Sequence, residues 1–553
     1  MRTVSTIAVI AAVVLMLGYT PQQASAKGDI DKREQKAAMA EAEGLLKRDK
    51  EAVEEVVTAI ERLYGMLDHD MALALLKYFD ECDRAWDSAS GDKNAPKDAK
   101  GRPKQAYKIA NAILECIRRM GQPEEVAEFE KDINDRDEYS LRPRMAMIDA
   151  LAANTEDEAC LKVLVDLAKN EKGKMDTDMR VLAIQHLGKH AKVDDVFHAL
   201  MKCLNDGSWR VREATAIALI DADGPNEDQI IVALINDLAK ETGKMRKSIA
   251  DALKKITGVD NGTDPDKWID WFTNKKREDQ GLPPKSGKGD RGTRVKVFET
   301  ETFSDRYVFL IDTSVSMTEK ITEEEKERLK KSITSGPGDD KDPRRPLDWS
   351  QINCKLDLAR EEMIRSLEVM DPERTTFTVI SFAENATIWK DELVPTDEDN
   401  VAEVADWLRK IKGQKRTNVF GALDAAYDLS ERIAGTEVDK RKEKKKKKKD
   451  DKDGPVTGMH RDDALPDTIF LYTDGYATWG KYSGEDVLWA GKSNDEKARL
   501  YAPIMKLMID EVEDRNRIAR ITLNCVGVGQ RQDSTTLSAL AKSCGGKYVA
   551  IGK

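Results

Sequence analysis

Histidine occurs only five times in the 553 residues, and aromatic side chains make up only 6% of them. No His-Glu-x-x-His run is present, so the usual signature of a zinc hydrolase is missing. Cysteine is also sparse: seven residues, at 82, 116, 160, 203, 354, 525 and 544, contain no Cys-x-x-Cys pair. This spacing excludes a zinc ribbon and a disulfide framework. Most of these cysteines are expected to be small buried apolar side chains. Cys525 and Cys544 are one conceivable bridge, and the odd count leaves at least one thiol. An excess of positive charge is absent too, since 91 Lys and Arg stand against 102 Asp and Glu, for a formal charge of −11. A general nucleic-acid binder would instead show a basic patch or stripe.

Long apolar runs are lacking as well. The apolar core near the N-terminus, Ile7 to Leu17, is far shorter than the ~20 residues needed to cross a bilayer. Set between Arg2 and Ala24-Ser25-Ala26, it reads as an export signal over residues 1–26, cleaved after Ala26. No Cys lies near that cut, so a lipid-modified N-terminus is not supported. The expectation is an exported protein, either periplasmic, secreted or attached to the cell surface, with no transmembrane span after cleavage. Charged residues reach 35%, above the usual ~25%, and imply a heavily hydrated surface.

What is present points to two or three domains. Residues 27–273 follow a helical period, as in Val53, Val56, Val57, Ile60, Leu63, Tyr64 and Leu67, which share one face. Within 140–258, Arg144, Arg180, Arg212 and Arg246, at intervals of 36, 32 and 34, are each followed seven positions later by Leu151, Leu187, Leu219 and Leu253. Such intervals suit a solenoid of helix pairs, in which each unit buries its face on its neighbours. The segments RVLAIQHLG, RVREATAIAL and MRKSIADALKKITG resemble HEAT-like repeats. Trp268, Trp271 and Phe272 are expected to plug the end of the array, and 90–103 reads as a loop. His186 and His190, at i and i+4, have no third ligand nearby and read as ordinary helix-surface residues.

Residues 274–304 are rich in Lys, Gly, Pro and Asp and read as a linker ending in a leading strand, VKVFETETF. Beyond it, the apolar runs Tyr307 to Ile311 and Thr468 to Thr473 read as buried parallel strands, KYVAI reads as another strand, and Lys355 to Met370 as a helix. The fold class is therefore multi-domain: an all-α array followed by an α/β, doubly wound, Rossmann-like domain over 305–553. Two insertions interrupt it. The first, 318–353, carries a short charged helix near Glu323 to Lys331 and either covers the adjacent crevice or runs as a solvated excursion. The second, 437–466, holds six consecutive lysines, 444–449, and is expected to be disordered through self-repulsion.

Oxygen-bearing side chains gather at the strand ends: Asp312, Ser314 and Ser316 in FLIDTSVSM, Thr417 in GQKRTNVFGAL and Asp474 in TIFLYTDG. In an open α/β sheet the loops after the strand C-termini converge on one crevice. Two carboxylates and three hydroxyls, without His or Cys, suit Mg²⁺, with Mn²⁺ or Ca²⁺ as alternatives, rather than zinc or copper. A lone Asp-x-Ser-x-Ser would serve as a helix cap or turn, but three separate segments in order do not arise that way easily.

This pattern resembles the von Willebrand factor type A domain with a metal-ion-dependent adhesion site, over about 305–553. The resemblance implies that Ser314, Ser316 and Thr417 contact the metal directly or nearly so, that Asp312 and Asp474 act largely through water, and that a partner protein's Glu or Asp carboxylate completes the site. Val315 stands where many relatives have Gly, and the sequence stops after KYVAI, where many continue into a closing helix.

Catalytic readings find less support. A haloacid dehalogenase phosphatase would need Asp where Ser314 stands, and GEDVLWAGKS has six residues between glycines where a phosphate-binding loop has four. No His or clearly placed Lys lies in the crevice loops, so a general base for metal-assisted hydrolysis is missing. The expectation is an exported, non-enzymatic adhesion or scaffold protein. The alternatives are a metal-dependent hydrolase using the same site, or a helical scaffold with a structural α/β domain.

Overall fold

The helical period of the N-terminal half is realised as a succession of paired helices. In this computed structural model the described residues are 31–48, 52–87, 106–171, 173, 175–222, 226–279, 295–297, 300–334, 344–447, 464–483, 493–529 and 532–551. The expected export signal and the expected loop 90–103 lie outside them. Described residues up to Asp166 form one compact unit and those from Leu167 onward another. No helix among the described residues is long and apolar enough to cross a membrane.

In the first unit, helices Lys32–Lys47, Val53–Glu61, His69–Asp87, Ala106–Arg118 and Leu141–Ala153 bury one face each. Val53, Val56, Ile60, Leu63 and Leu67 are buried, whereas Val57 and Tyr64 are only partly so. The helix itself stops at Glu61, and the remaining residues turn toward Gly65 at φ 76°.

The periodic arginines share one task. Arg144 donates to the Ile133 carbonyl at 3.5 Å, Arg180 to that of Ala168 at 3.2 Å, Arg212 to that of Asp206 at 2.8 Å and Arg246 to that of Thr263 at 2.9 Å. Each guanidinium thus satisfies a backbone carbonyl at a helix end or in a turn, where the helix leaves acceptors unpaired. The four leucines that follow are fully buried. Of the three expected end plugs, Trp268 is fully buried, its indole donating to the Gly262 carbonyl at 2.8 Å, while Trp271 and Phe272 are half-buried. Their helix, Pro265–Asp279, continues into the stretch read as linker because Lys275 and Lys276 pair with Glu227 and Asp228 on a neighbouring helix.

The leading strand is instead a two-stranded antiparallel hairpin, β1 (Val295–Val297) and β2 (Thr300–Thr302). The main sheet follows, with β3 (Arg306–Asp312), β4 (Thr376–Phe382), β5 (Ala386–Ile388), β6 (Val394–Pro395), β7 (Thr468–Thr473), β8 (Thr522–Val528) and β9 (Tyr548–Ile551). Its order is β5-β4-β3-β7-β8-β9, with β6 also on β4. Strands β4, β3, β7, β8 and β9 are mutually parallel, and the short β5 and β6 are antiparallel. Continuous apolar runs are what such a sheet, covered on both faces, requires. Tyr307, Phe309, Phe470 and Tyr472 form an aromatic row across β3 and β7, with centroids 5.8 to 6.4 Å apart.

The described parts of both insertions carry helices. In the first, helix Glu323–Thr334 buries Leu329 in the core formed by the sheet, and Arg344 pairs at 2.5 Å with the fully buried Glu362 of helix Lys355–Leu367. In the second, helix Val419–Lys447 runs into the lysines rather than ending near 437. Lys, Glu and Arg are good helix formers, and elongation from a packed start is favoured where nucleation is not. Residues 448–463 lie outside the described residues. All seven cysteines are free thiols, with only Cys354 less than fully buried, so Cys525 and Cys544 do not form a bridge.

Candidate metal-binding site

The order of the strands sets the position of the site. The chain adds β4 on one side of β3 and β7 on the other, so a switch point lies between β3 and β7. Asp312 is the last residue of β3 and Asp474 the first after β7. The two carboxylates therefore flank the crevice where such sheets bind ligands.

Hydrogen bonds tie the acidic pair to the serines. Asp312 is fully buried; its Oδ1 accepts from the Ser314 backbone N–H at 2.8 Å and its Oδ2 from the Thr473 hydroxyl at 2.6 Å. Ser314 Oγ and Ser316 Oγ lie 2.9 Å apart, and Ser316 donates to Asp474 Oδ1 at 2.8 Å. Ser314 is the N-cap residue of the one-turn helix Val315–Thr318, yet its side chain makes no cap hydrogen bond. Its hydroxyl faces the other serine instead.

The loop that carries Thr417 runs beside these residues. Gln414 N–H donates to the Thr313 carbonyl at 3.0 Å, and the Gln414 carbonyl accepts from Val315 N–H at 2.8 Å. Thr417 is buried; its N–H donates to Thr478 Oγ1 at 2.9 Å and its carbonyl accepts from Thr478 and Trp479 N–H groups. Beside it, Arg416 holds a left-handed φ of 71° and lies over the Trp479 ring at 3.4 Å. A β-carbon in that region of conformational space is strained and persists only where its surroundings fix it. Here Trp479, after β7, and Glu384, after β4, flank its guanidinium.

The electrostatics of the pair are unfavourable by themselves. Burial, and then the Asp474 carboxylate, push the Asp312 carboxyl up to about 7, despite the hydrogen bonds from Thr473 and Ser314. Two like charges sharing a dry site cannot both ionise easily. A bound cation would relieve that repulsion. Among the described residues no group of three or more His, Cys, Asp or Glu is placed to hold a metal, so a cation here would rely on hydroxyl oxygens as well. Carboxylate and hydroxyl oxygens of this kind fit a hard divalent ion.

One residue corrects the sequence reading, which found no clearly placed lysine. Lys355, the first residue of helix Lys355–Leu367, brings its ammonium to 2.6 Å from Asp474 Oδ2, with 13% of its side chain exposed. Its stem crosses Gly529, where an added β-carbon would lie 2.8 Å from Lys355 Cε. Lys355 and Asp474 are 119 residues apart, and nothing local to KLDLAR signals the pairing. Thr473 was also missed, although it directly precedes Asp474. His186, read as a surface residue, lies 3.3 Å from Arg517.

No protein-family model matches the chain. A stretch of 76 residues is 30% identical to von Willebrand factor A domain-containing protein 3B of Homo sapiens, covering 14% of this chain and 6% of that protein. Another of 89 residues is 35% identical to inter-alpha-trypsin inhibitor heavy chain H4 of Bos taurus, covering 16% of this chain and 10% of that one. The chain thus spans a tenth or less of the length of these relatives. Among solved structures, a von Willebrand factor type A structure from Catenulispora acidiphila covers 46% of this chain and 40% of its own, at 17% identity and a TM-score of 0.25. Proximal thread matrix protein 1 from the mussel byssus, with a zinc-occupied MIDAS motif, covers 44% and 43% at 12% identity and a TM-score of 0.22.

Proposed function

We propose that the C-terminal half is a von Willebrand factor type A domain, and that its crevice binds a divalent cation and, through it, an acidic side chain of a partner protein. The observation that carries this reading is the buried pair Asp312 and Asp474, linked through Ser314 and Ser316 across the switch point and mutually repulsive without a cation. Ser314, Ser316 and Thr417 would hold the ion, with Asp312 and Asp474 compensating its charge. Mg²⁺ is our first choice, since magnesium keeps water at positions that an incoming carboxylate takes over. The bound ion would supply electrostatic attraction for that carboxylate.

Binding is favoured over hydrolysis by the site's own side chains. No histidine is among the residues that make up the crevice, and the Lys355 ammonium is already engaged by Asp474. Export, supported by residues 1–26, would put the partner in the cell envelope or outside the cell. The helix pairs, as a HEAT-like array, would offer a second binding surface.

Calorimetric titration of the full chain with Mg²⁺ and with Mn²⁺ tests the first step. Asp312→Ala and Thr417→Ala should abolish binding while leaving the circular dichroism spectrum intact; undiminished binding in both would sink the mechanism. Capture from envelope extracts should then require Mg²⁺ and fail in chelator.

A further inference from the structure

Lys355 stands where its helix disfavours it. It occupies the first helical position, where the positive end of the backbone dipole repels a cation. Its ammonium is nonetheless held at 2.6 Å from Asp474, and its stem lies against Gly529, whose φ of 89° and missing side chain keep that path open. Glu325, on helix Glu323–Thr334, is another acid within electrostatic reach, and it accepts hydrogen bonds from Thr322. The pairing with Asp474 is therefore a built contact.

Its consequence follows from charge. In ionised form Asp312 and Asp474 against Lys355 leave the socket one net negative charge, and a divalent cation turns it into one net positive charge. Without Lys355 the loaded socket would be neutral. We infer that Lys355 makes the socket hold its cation less tightly and an incoming carboxylate more tightly, and so sets the balance between metal affinity and partner affinity. This rests on the crevice being a metal site. It assigns Lys355 as a positioning and charge-setting residue on the side of Asp474 turned away from Ser316, since the two bond different carboxylate oxygens.

The test uses the full chain, with Mn²⁺ as the metal and acetate as the carboxylate. Mn²⁺ affinity is measured by calorimetry, and acetate by the loss of water-proton relaxation as it displaces Mn²⁺-bound water. Lys355→Met should bind Mn²⁺ at least about tenfold more tightly, and its Mn²⁺-loaded form should need several-fold more acetate for the same displacement. Lys355→Arg, which keeps the charge, should stay within about threefold of wild type in both. Unchanged or weaker Mn²⁺ binding by Lys355→Met would overturn the inference while leaving the metal site intact. Absence of Mn²⁺ binding by the wild-type chain would instead overturn the site. If lost packing unfolds Lys355→Met, Lys355→Gln keeps a polar group toward Asp474 and must show the same two shifts.

Discussion

The same sheet buries acids at both of its ends, and it treats them in opposite ways. At the carboxyl end the Lys355 ammonium bonds Asp474 alone, and Asp312 is raised to about 7. At the amino end lies Glu213, on helix Trp209–Ala218 of the array. Arg520 meets it at 2.8 Å, Lys244 at 3.4 Å and the Ser248 hydroxyl at 2.7 Å. Burial pushes the Glu213 carboxyl up, but Lys244 and Arg520 outweigh it and hold it at about 2. Arg520 itself sits in the left-handed region at φ 59°, its carbonyl accepting from Lys244. Gln185 and Arg210 add bonds to the carbonyls of Arg517 and Ile518, and Thr242 bonds Asp305 at 3.0 Å. The amino end is a saturated joint between helices and sheet. The carboxyl end is left short of positive charge, which the proposed cation would supply.

The largest expected effect lies at the joint. Glu213→Gln leaves two cations facing a neutral amide and should destabilise the fold by about 3–5 kcal/mol, as when one partner of a buried ion pair is removed. Denaturant unfolding of the full chain measures this, and a loss below about 1 kcal/mol would show that the joint is not saturated. The matching change at the crevice should have the opposite sign. Asp312→Asn keeps the hydrogen-bonding shape but removes one of two repelling charges, so in chelator at pH 8 it should stabilise by about 1–3 kcal/mol while abolishing metal binding. Equal signs for the two substitutions would break the comparison.

Their pH dependence differs in the same sense. Glu213 is depressed from 4.5 to about 2, so the folded state binds its proton less tightly than the unfolded chain does. Its contribution is present above about pH 4.5 and is lost as pH falls through about 2. Asp312 is raised from 3.8 to about 7, so the metal-free fold binds that proton more tightly and loses stability as pH rises through that window. Thermal unfolding in chelator should show the acid loss disappearing in Glu213→Gln and the neutral-pH loss disappearing in Asp312→Asn.

Legibility in the sequence divides along the same line. Asp312 and Asp474 could be read because each ends an apolar run whose burial on both faces gives a parallel strand, and strand ends are where such sheets bind. The order of three motifs then supplied the serines and Thr417. Lys355 could not be read, since its place depends on a contact 119 residues distant and its own neighbourhood is an ordinary amphipathic helix. The joint was hidden for a related reason: Glu213 lies in an Ala-rich helix and Arg520 in a polar turn, 307 residues apart. The lysine run was read from local charge repulsion alone, and helix Val419–Lys447 carries its first four lysines. Period and motif report what is near in sequence, whereas charge compensation is settled by what meets in space.

The smallest effects should still separate the two ends. Ser248→Ala and Thr473→Val each remove one hydroxyl donor from a buried carboxylate, and each should cost about 1–2 kcal/mol at pH 7.5. At the joint Lys244 and Arg520 remain, so the cost of Ser248→Ala should stay level across neutral pH and shrink only below about pH 4.5, where the unfolded carboxyl protonates first. At the crevice the Ser314 N–H still donates to Asp312, but losing Thr473 raises its carboxyl further. The cost of Thr473→Val in chelator should therefore grow as pH climbs through about 7 and shrink when a saturating divalent cation takes over the compensation. Parallel pH curves for the two variants, unaffected by metal, would show that the ends of the sheet do not differ in kind.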